Sequence, residues 1–302
     1  VGDQLSLTAG ALVRMDDAGM LGVWPSVYPA DTVLDAFTYA GTPGTYNTVY
    51  GLGSGAGFVY SPKAIKGLTI SQNYVSANAY NGNTSTPNTN AAANQGGGVW
   101  TGGAASTAVS QIGYVGDKTP LIGGSYGLAF AYTYSQNMPL TIGTNMAVAY
   151  SNWGSGGTSS NNYGLSGYWK PEKAGLVPSI SWGFGGGSWN IQGGAGAQAT
   201  SGVNGITTAS WYTGLQWDDA FIKGNALGMG VGQAPFVSSA SFRDINYGPG
   251  VRTGESFTPH DGNYAWEWWY KFQVTDNISV TPAIFYLSNP LGHAGYVYQE
   301  AT

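Results

Sequence analysis

Charge is what this chain has least of. Charged residues make up 8% of the sequence, against about a quarter in an ordinary soluble domain, so a water-facing surface of the usual kind is excluded. Cysteine is absent, which removes disulfides and thiolate metal sites and says little about compartment. No run of about 18 apolar residues occurs, so no membrane-spanning helix is predicted. Lysine and arginine form no cluster and the net charge is −5, which argues against a nucleic-acid partner. Only two histidines are present, His260 and His293. No basic, then apolar, leader pattern follows Val1.

In place of charge there are 49 glycines and 14% aromatics, including 21 Tyr and 11 Trp. A transmembrane barrel uses aromatics at two lipid interfaces, apolar residues toward lipid, and small or polar residues toward its lumen. The composition fits that description. A glycine-rich secreted adhesin is the rival that composition leaves open.

The dominant period is two. Leu5, Leu7, Ala9, Ala11 and Val13 alternate with Ser6, Thr8, Gly10 and Leu12. Tyr126, Leu128, Phe130, Tyr132 and Tyr134 alternate with Gly127, Ala129, Ala131 and Thr133. Leu140, Ile142, Met146, Val148 and Tyr150 share one parity, with Thr144 the lapse. Trp211, Leu215 and Trp217 form another stripe, as do Leu227, Met229 and Val231. The strongest runs through Tyr264, Trp266, Trp268, Tyr270, Phe272 and Val274, followed by Ile278, Val280, Pro282, Ile284 and Tyr286. Such alternation is the signature of strands. With weaker stretches near 50–60, 68–80, 106–116, 163–169 and 180–184, about twelve strands of bilayer-crossing length are predicted. The connections fall into short turns (61–67, 116–124, 135–139, 170–176, 218–224, 275–277) and long loops (16–45, 81–105, 151–162, 185–204, 234–262). Short periplasmic turns facing long extracellular loops are how outer-membrane barrels are built. The prediction is an all-β, antiparallel transmembrane β-barrel forming one domain over residues 1–302, without a linker. An open sheet would leave backbone groups unpaired in lipid, so the barrel is either small or incomplete here.

Three stretches resemble the outer-membrane porins of cyanobacteria, whose barrels group with the carbohydrate-selective porins. They are Val23-Trp24-Pro25-Ser26-Val27-Tyr28-Pro29-Ala30-Asp31-Thr32-Val33-Leu34-Asp35, Gly224-Asn225-Ala226-Leu227-Gly228-Met229-Gly230-Val231-Gly232-Gln233, and Tyr270-Lys271-Phe272-Gln273-Val274-Thr275-Asp276-Asn277-Ile278-Ser279-Val280-Thr281-Pro282-Ala283-Ile284. The first looks most like marine picocyanobacterial versions. The resemblance implies a complete barrel of about 16 strands, an even number as bacterial barrels require. It also implies that the segment is incomplete at both ends, and that a peptidoglycan-binding S-layer-homology domain is absent from it.

Loop 16–45 holds the best candidate site. Val23, Trp24, Val27, Tyr28, Val33, Leu34, Phe37 and Tyr39 make it too apolar to stand in water. Folding into the lumen would bury them and leave Arg14, Asp16, Asp17, Asp31 and Asp35 lining a constriction. Arg14 has the parity of Ser6 and Thr8, the inner face. The alternative is an outside loop at a subunit contact. Glu267 and Lys271, four apart on the inner parity of the Trp-rich strand, either line the pore or pair as wall structure. Arg243, Asp244, Arg252 and Glu255 read as solvated loop charge. Six of the seven lysines fall in short turns, whereas the long loops carry mainly carboxylates, among them Asp244, Glu255 and Asp261. The expected outer mouth is acidic and weakly cation-preferring.

Enzyme motifs fail. Gly123-Gly124-Ser125-Tyr126-Gly127 matches a nucleophile elbow but leads into a strand, where the elbow needs a helix. Gly194-Ala195-Gly196 lacks a βαβ context. His260 with Asp261 supplies too few ligands for a metal. The reading is a homotrimeric outer-membrane porin, held in lipid by Trp and Tyr girdles. It passes small hydrophilic solutes and inorganic ions by passive diffusion and needs no cofactor. The rivals are the soluble adhesin and a barrel acting mainly as a tether between the outer membrane and peptidoglycan.

Overall fold

A computed structural model describes residues 2–23, 37, 39, 41–46, 53–80, 98–119, 122–152, 158–191, 203–242, 256–259 and 261–290. The strands are β1 (Leu5–Val13), β2 (Gly53–Tyr60), β3 (Leu68–Ser76), β4 (Ser106–Gly116), β5 (Ser125–Gln136), β6 (Thr158–Lys170), β7 (Ser179–Ile191), β8 (Val203–Asp218), β9 (Ala226–Phe242), β10 (Ser256–Phe257), β11 (Tyr264–Thr275), β12 (Ile278–Val280) and β13 (Ala283–Leu287). Among the described residues there are two helices, α1 (Pro43–Tyr46) and α2 (Asn145–Asn152). Each long strand pairs antiparallel with its sequence neighbour in a single sheet. The short β10 flanks β9, and β12 and β13 both lie along β11, on either side of Pro282. Among the described residues the sheet is not closed. β1 pairs with β2, β12 and β13 pair with β11, and the two edges do not meet. No described helix is long and apolar enough to cross a membrane, which says nothing against crossing by strands.

Register explains why alternation was visible in the sequence. Leu5, Tyr60, Ile70, Ile112, Phe130, Leu165, Phe184 and Trp211 stand side by side across eight strands. Several, including Ile112, Phe130, Leu165 and Phe184, are exposed. One face of the sheet is thus a continuous apolar band, the lipid-facing surface of a transmembrane barrel. The opposite parity carries Thr8, Gly57, Asn73, Val109, Thr133, Asn162, Gly187 and Thr208 in one row. This small and polar row faces inward.

Three details depart from the sequence reading. First, the stretch expected to be a strand at 140–150 is not one. Thr144 caps α2, its Oγ1 accepting the Ala147 N–H at 3.2 Å, and Met146, Ala147 and Tyr150 fall on one buried helix face. The apparent lapse at Thr144 was therefore a helix start. The connection from β5 to β6 becomes one long loop in place of the short turn expected at 135–139. Long and short connections then alternate from β1 to β9.

Second, β6 to β9 run further into the long-loop side than predicted, each with 13 to 17 residues. Out there the outward residues are Asn161, Ser188 and Thr207. The hydrogen-bond ladder continues past the apolar band, and hydrophobic alternation cannot report a strand outside lipid. Third, the register slips between Gly10 and Val13, where Ala11 and Leu12 together face Ser54. This bulge inverts the side-chain parity. Leu12 is 72% exposed and Val13 4%, packed with Met20 and Val75. The parity argument that put Arg14 with Ser6 and Thr8 does not survive the bulge.

Candidate functional site: the inner wall and the segments that cover it

The polar inner face invites backbone hydrogen bonds, and residues 14–23 supply them. After β1 the chain turns on Asp17, whose Oδ2 accepts the Arg14 N–H at 2.7 Å. Ala18 O accepts Thr8 Oγ1 at 2.5 Å. Asn73 Nδ2 on β3 donates to Met20 O at 2.9 Å, and Gly22 N donates to Ser71 Oγ at 3.1 Å. Gln111 Nε2 on β4 donates to Val23 O at 2.8 Å. The segment thus crosses the inside of β1 through β4, in order.

Residues 37, 39 and 41–46 lie over parts of the remaining wall. Phe37 packs on Tyr212 of β8, ring centroids 5.2 Å apart, and on Ala265 of β11. Gly41, at φ +69°, lies so close to β8 that a Cβ would stand 2.3 Å from that of Tyr212. Gly164 of β6 leaves room for Thr42 and Thr45, because a Cβ there would be 2.8 Å from Thr45 Oγ1. Thr133 Oγ1 on β5 donates to Thr45 O at 2.6 Å. Tyr46 donates its hydroxyl to Gln111 Oε1 at 2.7 Å. Burial pushes the Tyr46 phenol far above its usual titration range, so it remains a neutral donor.

A second covering was not foreseen. The inner face of β7 to β9 carries an apolar patch, Trp189, Ile206, Val237 and Ala240, and Leu140, Met146, Ala147 and Tyr150 of the α2 region pack onto it. Pro235 has no N–H to give the ladder, and β8 and β9 are irregular around it. Its carbonyl accepts the Thr144 N–H at 2.8 Å. Asp261 Oδ2 accepts the Val237 N–H at 2.8 Å and also the Thr144 hydroxyl. Asp261 was expected among the exposed charges of the mouth. It is fully buried, and it fastens α2 to the wall. The legible signal was Thr144 followed by the i, i+3 spacing of Ala147 and Tyr150.

The predicted residues fall as follows. Arg14 makes a two-pronged pair with Asp16, Nε to Oδ1 and Nη2 to Oδ2, both at 2.8 Å. Asp16 and Asp17 are therefore both engaged locally, by the side chain and the backbone N–H of Arg14. Asp31 and Asp35 lie outside the described residues, as do Arg243, Asp244, Arg252, Glu255, His260 and His293. Glu267 is fully buried on the inner face of β11, opposite Gly230, and Lys271 is half-buried opposite Ala226. Burial favours the wall-structure reading of Glu267. Ser125 opens β5 directly after a turn, and no helix follows it. Among the described residues no group of three metal-ligating side chains converges.

At the short-turn rim, neighbouring hairpins are joined by ion pairs: Asp3 with Lys63, Lys66 with Asp117, Lys118 with Glu172 and Lys170 with Asp218. In the exposed Lys66–Asp117 pair the hydrogen bond lowers the carboxyl and raises the amine. The pair thus persists from below the ordinary carboxylate range to above the ordinary lysine range. It dissolves only when pH falls through the lowered Asp117 value or rises through the raised Lys66 value.

An apolar outer band, a polar inner wall and chain segments laid across that wall are the features of a transmembrane β-barrel wall. The chain belongs to the family described as "Carbohydrate-selective porin, OprB family", which matches residues 21–298. That is a family of outer-membrane channels and not of enzymes. The chain is also similar to two uncharacterized cyanobacterial proteins. One, from Synechocystis sp., is 30% identical over 181 residues, which is 54% of this chain and 30% of that protein. The other, from Nostoc sp., is 28% identical over 253 residues, which is 81% of this chain and 37% of that protein. The chain thus spans about a third of the length of these curated relatives.

Proposed function

We propose that this chain forms the wall of an outer-membrane porin that passes small hydrophilic solutes and inorganic ions by passive diffusion. Segment 16–45 narrows the pore, with Arg14, Asp16, Asp17, Asp31 and Asp35 at its opening. The observation that carries this reading is the placement of residues 14–23, 37, 39 and 41–46. They lie against inner faces of strands from β1 to β11, bound to wall side chains in part through their own carbonyls. A soluble sandwich would fill that face with a second sheet. Here the described residues over it come from loop segments and the α2 region, while the outer face stays apolar. The family adds carbohydrates to the solutes considered. Selection then rests on pore width and lining charge.

The test is single-channel recording in a planar bilayer. Stepwise conductance that falls when sugars of increasing size are added is the expected result. Protein that folds in detergent and inserts but never conducts would refute the reading. The proposal includes a homotrimer seated in outer-membrane lipid. Mass measurement in mild detergent checks that part, and monomer alone would defeat it.

A further inference from the structure

We propose that the short turns between β4 and β5, β6 and β7, and β8 and β9 are lipid-contact elements. Their apolar tips, Ile122, Leu176 and Phe221, lodge at the headgroup–acyl boundary of the leaflet on that side. The partner is a phospholipid surface, and the inference rests on the porin reading above.

The argument starts from a repeated hydrogen bond. Trp169 of β6 donates Nε1–H to Gly123 O at 2.8 Å, Trp217 of β8 donates to Leu176 O at 3.0 Å, and Tyr270 of β11 donates its hydroxyl to Ala220 O at 2.8 Å. Each donor has outward parity at the turn end of its strand. An amphipathic ring in that place settles at the membrane interface. In each case the accepting carbonyl belongs to the preceding hairpin's turn, so the turn sits at the level of the ring. In each case, too, a large apolar side chain stands at or beside the accepting residue. Leu176 is 97% exposed, Phe221 89% and Ile122 69%. Phe221 also leans on Tyr270, ring centroids 6.0 Å apart, and Tyr270 on Phe272 at 4.5 Å. Phe221 therefore lies on the lipid side of the wall.

Single exposed apolar residues are ordinary on a protein surface. Three in successive turns, each fastened to an interface aromatic, are not scattered. Six of the charges around them are paired from turn to turn, Lys66 with Asp117, Lys118 with Glu172 and Lys170 with Asp218, and Lys173, Asp219 and Lys223 are left to meet the headgroups themselves. Seating these turns among headgroups therefore strands none of these six charges.

The chain has no cysteine, so single-cysteine variants each take one spin label. Leu176→Cys, Phe221→Cys, Phe130→Cys and Ser188→Cys are labelled and reconstituted in phosphatidylcholine vesicles. Phe130 lies in the outer apolar band and Ser188 is exposed beyond that band on the long-loop side. Collision with oxygen, which concentrates in lipid, is compared with collision with a water-soluble nickel chelate. The labels at 176 and 221 are expected to match Phe130→Cys in favouring oxygen. If they match Ser188→Cys while Phe130→Cys remains lipid-exposed, the inference is overturned and the porin reading stands. If Phe130→Cys itself behaves like Ser188→Cys, the porin reading fails and takes this inference with it.

Discussion

Removing the Asp261 carboxylate tests whether α2 belongs to the pore. Asp261 Oδ2 holds the Val237 N–H at 2.8 Å and the Thr144 hydroxyl, both in a buried setting. Hydrogen bonds to a charged group contribute about 1.5–3 kcal/mol each, so Asp261→Ala is expected to remove about 3–6 kcal/mol from the seating of α2. Asp261→Asn keeps the shape and one accepting oxygen, and its loss should be about half as large. For scale, Met146→Ala empties part of the apolar patch under α2 and is expected to cost about 2–5 kcal/mol. The carboxylate and the methionine are thus comparable anchors, one electrostatic and one apolar. If α2 stands in the conduction path, loosening it widens the channel and makes it fluctuate. The assay is single-channel conductance, with open-channel noise and the temperature at which the folded gel band is lost measured in parallel. The expected order of disturbance is parent, Asp261→Asn, Asp261→Ala, then Asp261→Ala with Met146→Ala. A double variant with parental conductance and noise but a lowered unfolding temperature would show that α2 braces the wall outside the conduction path. An Asp261→Ala channel unchanged in all three readouts would refute the account of Asp261 itself.

Other expectations follow from the same geometry. Gly164→Val places a side chain where Thr45 Oγ1 already stands 2.8 Å from the Cβ position; the overpacking should cost about 1–3 kcal/mol and shift conductance by displacing residues 42–46, whereas unchanged conductance and stability would count against the inner covering. Leu165→Arg puts a charge in the outer apolar band and is expected to cost about 2–4 kcal/mol if that row lies at mid-bilayer, seen as a smaller folded fraction after refolding into lipid; full refolding would place the band elsewhere. Arg14→Gln leaves Asp16 without its counter-ion, so the reversal potential across a salt gradient should move toward stronger cation preference, and Asp31→Asn with Asp35→Asn should move it back. Screening limits such effects to about 8 Å at physiological salt, so indifference of the potential to all three substitutions would remove these residues from the constriction.

The sequence by itself determined the sheet. Period-two stripes such as Tyr264 to Val274 and the alternation of short and long connections made the strands and their antiparallel order legible, because lipid on one side imposes a strict two-residue rhythm. It also marked loop 16–45 as too apolar to stay in water; of the residues behind that expectation, Phe37 is buried and Val23 and Tyr39 are half-buried. Tertiary structure decided what local periodicity cannot encode. The bulge after Gly10 turned Val13 inward, and its one trace in the letters is the apolar Leu12 on the polar parity. Met146, Ala147 and Tyr150 fit either a strand or a helix when read alone, and the apolar patch around Trp189 and Val237 favoured the helix by giving its buried face a partner. Asp261 looked like any loop carboxylate until Thr144 and the backbone of Val237, far away in sequence, were brought to it. Parity is a property of neighbours along the chain, whereas burial and hydrogen-bond satisfaction are properties of neighbours in space.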